Sequence, residues 1–204
     1  MAVFSLPSDP SAGRAAKFRW VTNRAIHRSP ITGKVQTVDR NGGRWEVDVQ
    51  LPPLTIAQIR AWFAALIRAQ DDPVYFSPPY SSTMLSGGNP GSPLVNGAAQ
   101  VGTSLITDAW AAFYSVSDGD FISFNNGSFD ELHLIKSGTG LAADGLGNAI
   151  LTIHPAIQIS PPNNAVIRVA NPRGQFKVIA DTVDFDARLA GQHGFSFKLY
   201  GVGS

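Results

Sequence analysis

The chain has 204 residues, with 16 Lys and Arg against 15 Asp and Glu, and contains no cysteine. The missing cysteine excludes disulfides, thiolate metal sites and cysteine nucleophiles, and the near-balance of charge gives no electrostatic case for a nucleic-acid binder. The 20 glycines and 14 prolines cluster between apolar runs, as in turn-rich β proteins, and no stretch reaches the roughly 20 apolar residues of a membrane span.

Residues 1 to 15 are small and polar, with Pro7, Pro10 and Gly13, and read as an arm that is loose or ordered only against a partner. They carry neither the basic start nor the apolar run of a signal peptide. A strand is predicted over Ala16–Ile26, where Phe18, Trp20 and Thr22 alternate with Lys17, Arg19 and Asn23. Ser29-Pro30-Ile31-Thr32-Gly33 is a turn by composition. A second strand, Lys34–Arg40, is expected to turn at Asn41-Gly42-Gly43 into a third, Arg44–Leu51, forming a hairpin. In the third strand Trp45, Val47, Val49 and Leu51 share one side, and Arg44, Glu46, Asp48 and Gln50 the other. Pro52-Pro53 are expected to stop it, since neither can donate to a ladder.

Thr55 has the makings of an N-cap, with Gln58 completing a capping box and Leu54 placed to staple against Ile59. The helix, residues 55–70, ends at Asp71-Asp72-Pro73. Ile56, Ile59, Trp62, Phe63, Leu66 and Ile67 form one broad stripe, expected to lie on a sheet. The opposite side holds Ala57, Ala61, Ala64, Ala65 and Arg68. Helix propensity alone accounts for the alanines; the sharper reading is a smooth candidate interface between subunits.

Val74-Tyr75-Phe76 is a short strand, and the breaker-rich run from Pro78 to Pro93 is the best linker in the chain, placed at 81–93. Short strands follow near Gly102–Ile106, Phe121–Phe124, Glu131–Lys136, Ala149–His154 and Ala165–Ala170, with a two-residue turn at Asn126-Gly127. Such a series points to a small barrel or sandwich. Further strands are expected over Phe176–Ile179, Val183–Ala187 and Phe195–Val202. The predicted layout is one discontinuous β domain, 1–80 plus 171–204, with a small β domain, 94–170, inserted in it. Both ends have half-buried strands needing partners, and the N-terminal part alone has too few to close a core.

Chemistry is sparse. Gly138-Thr139-Gly140-Leu141-Ala142-Ala143 satisfies G-x-G-x-x-A, but Asp144-Gly145-Leu146-Gly147-Asn148 follows where a dinucleotide site needs a helix. His27, His133, His154 and His193 show no metal-ligand spacing. Asp184 and Asp186 point to one face of a strand, a pairing that glycosidases and calcium sites use but that a solvent face also produces. Asp118-Gly119-Asp120 fits a turn, and no G-x-S-x-G elbow occurs. The residues give no positive reason to expect an enzyme, a cofactor or a metal.

Three stretches in succession carry a resemblance. They are Ser29-Pro30-Ile31-Thr32-Gly33 leading to Trp45 and Leu51-Pro52-Pro53-Leu54; Leu94-Val95-Asn96-Gly97-Ala98 leading to Asp118-Gly119-Asp120-Phe121-Ile122; and Asp144-Gly145-Leu146-Gly147-Asn148-Ala149-Ile150-Leu151-Thr152-Ile153 with Pro155, followed by Asn171-Pro172-Arg173-Gly174. This succession resembles the distal tail proteins found in the tail tip, or baseplate, of long-tailed bacteriophages. The resemblance implies a mainly β fold with one amphipathic helix, a β-sandwich of tail-tube type carrying an inserted small barrel or sandwich. It also implies a virion structural protein, assembled in the host cytoplasm. Such a protein forms a homohexameric ring that joins the tail-tube protein to the baseplate hub or central fibre, and DNA only passes through its channel. The family has no catalytic residues to carry over. An inserted domain that binds host glycan through Trp110, Phe113 and Tyr114 is the alternative, and a wall hydrolase using Asp184 and Asp186 a further one.

Overall fold

The structure is a computed structural model and describes residues 3–7, 15–78, 88–138, 141–179, 182–186 and 193–202; of residues 39–41, 141, 184–186 and 193–194 only the backbone is considered. The fold is mainly β with a single helix, and includes a nearly closed six-stranded barrel-like sheet. In chain order the first elements are β1 (Phe4–Ser5), β2 (Ala15–Arg28), β3 (Val35–Leu54), α1 (Ile56–Asp71) and β4 (Val74–Phe76). Next come β5 (Gly91–Val95), β6 (Gly102–Trp110), β7 (Ser115–Val116), β8 (Phe121–Asn125), β9 (Asp130–Ile135) and β10 (Leu141–Ala142). The last are β11 (Ala149–Ile157), β12 (Ile167–Arg168), β13 (Gly174–Val178), β14 (Asp184–Asp186) and β15 (His193–Gly201).

The chain divides into two compact units, one built mainly from Asp72–Phe176 with Met1–Leu6, the other from Pro7–Asp71 and Lys177–Val202. In the second unit β3 lies between β2 and β15, antiparallel to both, and β14 pairs with β15. One face of β3 and β15 buries Val47, Val49, Leu51, Phe195, Phe197 and Leu199. Against this face α1 sets Trp62, whose ring lies 6.0 Å from that of Phe197. The helix begins as the sequence predicts. The Gln58 side-chain oxygen accepts from the Thr55 backbone N–H at 2.9 Å and from its hydroxyl at 3.0 Å, which satisfies a donor the helix cannot.

Two sequence expectations change in this unit. Asn41-Gly42-Gly43 does not reverse the chain, because β3 runs through it. The register slips so that Thr22 of β2 faces residues 41–43, with Gly42 at φ +110°. Gly43 lies under the Trp20 indole, where a Cβ would stand 2.5 Å from Cζ2. These glycines therefore serve a bulge and a close approach. The reversal lies at the predicted Ser29–Gly33 turn, closed by Ser29 N–H to Lys34 C=O at 2.9 Å and Gly33 N–H to Ser29 C=O at 3.0 Å. Pro52 and Pro53 also lie within β3, at a register shift against β15 between Leu51 and Leu54, where missing N–H groups break no regular ladder.

The first unit holds the barrel. Its strand order is β12-β8-β9-β11-β6-β5, and Val95 N–H to Ala165 C=O with Asn164 N–H to Val95 C=O bring β5 back beside β12. Closure of this kind removes free sheet edges. Every strand expected between 102 and 170 is present, and β5 begins inside the predicted linker; residues 79–87 of that linker lie outside the described residues. The core contains Val95, Leu105, Phe124, Leu151 and Ile153, with Trp110 and Tyr114 stacked at 5.5 Å. The Asn126-Gly127 turn is longer than expected: four residues separate β8 from β9, held by the Asn126 side-chain oxygen accepting from Ser128 and Phe129 N–H groups. Separately, β4 pairs in parallel with β1 and antiparallel with β13. Phe4 and Ser5 of the predicted N-terminal arm are thus strand residues, while 8–14 lie outside the described residues.

Candidate subunit interface

The helix carries the interface residues that the sequence singles out. Ala57, Ala61, Ala64 and Arg68 are exposed and Ala65 is half-buried. The buried stripe is narrower than its periodicity predicts. Only Trp62, Leu66 and Ala69 are fully buried, whereas Ile56 is 59 % exposed, Phe63 48 % and Ile67 47 %. The reason is geometric: a sheet touches about a third of a helix's circumference. With Trp62 aimed at Phe197, the residues about 100° away turn outward. Ile56, Phe63 and Ile67 then extend the alanine side into one exposed, largely apolar helix surface.

A second exposed feature escaped the sequence reading. Beyond the Gly42–Gly43 bulge, β2 and β3 continue as a two-stranded ribbon to the Ser29–Lys34 tip. Of residues 22–38 none is buried. Ile26, Ile31, Val35 and Val38 are among the exposed large apolar residues, Ile31 at 93 %. Two strands with no covering layer are marginally stable in water. The sequence signal was there: strict alternation lapses after Val21, and Ala25 and Ile26 bring apolar residues to both faces.

Between ribbon and helix, the outer face of the sheet is charged. In register, Lys17 and Lys198 flank Asp48, and Arg19 flanks Glu46. Arg19 donates to one Glu46 oxygen at 2.6 and 3.0 Å, and Arg44 to the other at 2.8 and 3.1 Å. Burial pushes the Glu46 carboxyl up, but the two guanidinium groups more than offset this and hold it below the usual carboxylate range. The Lys17, Asp48 and Lys198 row floors a hollow of about 650 Å³. Glu46 is fully paired by its two arginines, whereas among the described residues Asp48 is held only by looser contacts, 3.8 Å to Lys198 and 4.0 Å to Arg19, and its Oδ1 is buried without a hydrogen-bond partner.

The residues weighed for chemistry disperse. Trp110 and Tyr114, proposed as stacking faces for a glycan, are buried core residues, leaving Phe113 exposed alone of the three. Leu141-Ala142 of the glycine-rich motif is a strand and not a helix; Thr139 and Gly140 lie outside the described residues. Asp184 and Asp186 pair in β14 opposite Ser196 and Gly194, and their side chains lie outside the described residues. His133 in β9 and His154 in β11 lie on paired strands of the barrel, while His27 lies on the ribbon and His193 in β15. Among the described residues no group of three or more His, Asp or Glu is arranged to hold a metal ion.

Two acidic turns do structural work. Asp118 accepts from Ser137 N–H, Ser137 hydroxyl and Gly138 N–H at 2.6–2.8 Å, and these bonds hold its carboxyl below the usual range. Asp144 accepts from the side-chain amide and N–H of Asn148 and from Leu146 N–H, with the same effect. A buried polar hub lies in the barrel. Glu131 accepts from His133 Nε2, Asn126 Nδ2 and the N–H groups of Gln158 and Ile159. Next to it, Asp130 takes the Arg173 Nε–H at 2.7 Å. Fully partnered, these groups tie β8, β9 and β11 together. Compared with known protein families and with curated proteins, the chain matches no family model and no curated sequence.

Proposed function

We propose that this chain is a self-assembling structural subunit that forms a ring in the tail tip of a long-tailed phage, joining tail tube to baseplate hub or central fibre. One observation carries the self-assembly. The ribbon formed by β2 and β3 exposes both faces over residues 22–38 and carries Ile26, Ile31, Val35 and Val38 outward. A monomer has no use for apolar side chains on an uncovered two-stranded ribbon, whereas a ring buries them at every junction. The exposed side of α1 supplies a second apolar surface on the same unit. The ring, its sixfold order and its neighbours come from the motif resemblance described above.

The role is passive. Each subunit's exposed surfaces meet the next, the closed ring encloses a channel, and no residue needs to perform chemistry. Size-exclusion chromatography with light scattering, followed by negative-stain imaging, tests this. Closed rings that add to purified tail-tube ends are the expected result. A strict monomer at high concentration, with no addition to tube ends, overturns it.

A further inference from the structure

The two units carry opposite charge. Asp72–Phe176 holds 7 Asp and Glu against 3 Lys and Arg, a net of −4, while Pro7–Asp71 with Lys177–Val202 holds 8 against 13, a net of +5. The overall value of +1 conceals this separation. The basic unit places Arg28 and Lys34 on the exposed ribbon beside Ile26, Ile31 and Val35. The acidic unit has a surface of matching chemistry. Phe113, 74 % exposed, and Leu146, 88 % exposed, stand on adjacent loops joined by Phe113 N–H to Asp144 C=O at 3.3 Å. The Phe113 ring reaches across Gly145, where a Cβ would meet its Cζ at 3.2 Å. Asp144 is exposed beside them, and local hydrogen bonds keep its carboxylate ionised.

We infer that the ribbon of one copy docks on the Phe113–Leu146 platform of the barrel of a second copy, making a head-to-tail contact. The inference rests on the self-assembly reading and names its two surfaces. Both contain an apolar centre with charge at its side, basic on the ribbon and acidic on the barrel. Complementary patches of this kind fix register and reject like-with-like pairing. A contact between two different patches of the same chain is heterologous and so propagates to a ring or a filament. A nucleic acid would meet Arg28 and Lys34 but leave Ile26, Ile31 and Val35 uncovered, which favours a protein occupant.

Charge swapping in the full-length chain tests the contact. R28E/K34E makes the ribbon acidic, and L146K adds a positive charge to the platform at a side chain that is almost wholly exposed. Each variant alone brings like charges together and is expected to weaken association about tenfold or more in sedimentation velocity. Mixing the two restores opposite charges at every junction and is expected to recover association close to that of the unaltered chain. Circular dichroism melts confirm that both variants fold; if R28E/K34E does not, I31S with L146S replaces the swap, each expected to weaken association as much. Association unchanged by these variants, or no recovery on mixing, overturns the inference while leaving self-assembly standing. A chain that is monomeric throughout overturns both, and retention of duplex DNA lost in R28E/K34E with no self-association assigns the ribbon to nucleic acid instead.

Discussion

The Glu131 carboxylate and the His133 imidazole face each other at 3.1 Å, with almost no exposure of either side chain. The other ring nitrogen, Nδ1, lies 2.9 Å from the Pro155 carbonyl oxygen, which can only accept. The ring is thus held between two acceptors, the Glu131 carboxylate and the Pro155 carbonyl. The ring also stacks on Phe124 at 4.8 Å. Removing Glu131 leaves the His133 ring nitrogen, the Asn126 amide and two buried backbone N–H groups without their partner. Glu131→Ala is expected to cost about 3–5 kcal/mol, read from the urea midpoint at constant slope.

The same region sets the response to acid. Burial pushes the Glu131 carboxyl up, but hydrogen bonds from His133 and Asn126 more than offset it, so its folded pKa lies below the ordinary value. Its contribution is complete above the ordinary carboxylate pKa of about 4.3 and is lost as pH falls through the lower folded value. His154 acts earlier: burial first, then Lys136 and His133, lower its pKa, so the unfolded chain takes up that proton first. Stability should therefore decline gently from about pH 6.5, and steeply only in the carboxylate range. Urea titrations across pH should show the shallow limb absent in His154→Asn; if it persists there, His154 is not its source.

Two glycines in one loop should respond differently to the same change. Gly147 has φ +80° and lies against the Trp110 carbonyl oxygen, which a Cβ would overlap. Gly145 has only the Phe113 ring near it, at 3.2 Å from a built Cβ, and that ring can rotate into solvent. Gly147→Ala is expected to cost about 2–3 kcal/mol through backbone strain and overpacking, and Gly145→Ala less than about 0.5 kcal/mol. Paired thermal melts decide it, with equal losses counting against the loop geometry.

On the helix, folding and assembly should separate. Leu66 is fully buried, so Leu66→Ala should lower stability by about 2–5 kcal/mol. Ala61 is exposed, so Ala61→Trp should change stability by no more than about 0.5 kcal/mol. If α1 contributes to the ring, that substitution will nevertheless reduce assembly measured by light scattering. Full assembly with Trp at 61 would remove this part of the helix from the contact.

Local signals in the chain were readable where one residue type had one physical consequence. The Thr55–Gln58 box, the alternation of Arg44–Leu51 and the short strands between 102 and 157 depend on neighbours in sequence, and each stands in the structure. Features that depend on distant partners were not readable. Asn41-Gly42-Gly43 has the composition of a turn, yet the Trp20 indole from the facing strand needs that space, and the chain runs straight on. Ile56, Phe63 and Ile67 share a stripe with Trp62, but the width of the sheet beneath decides which of them it covers.

Composition and periodicity by themselves thus determined a cysteine-free, mainly β chain with one capped helix, because hydrogen-bonding and side-chain alternation are local properties. Only the tertiary structure decided which apolar residues remain uncovered, because burial depends on what the fold places opposite each side chain. That remainder, the ribbon at Ile26 and Ile31, the helix side at Phe63 and the platform at Phe113 and Leu146, is where the proposed contacts between copies are placed.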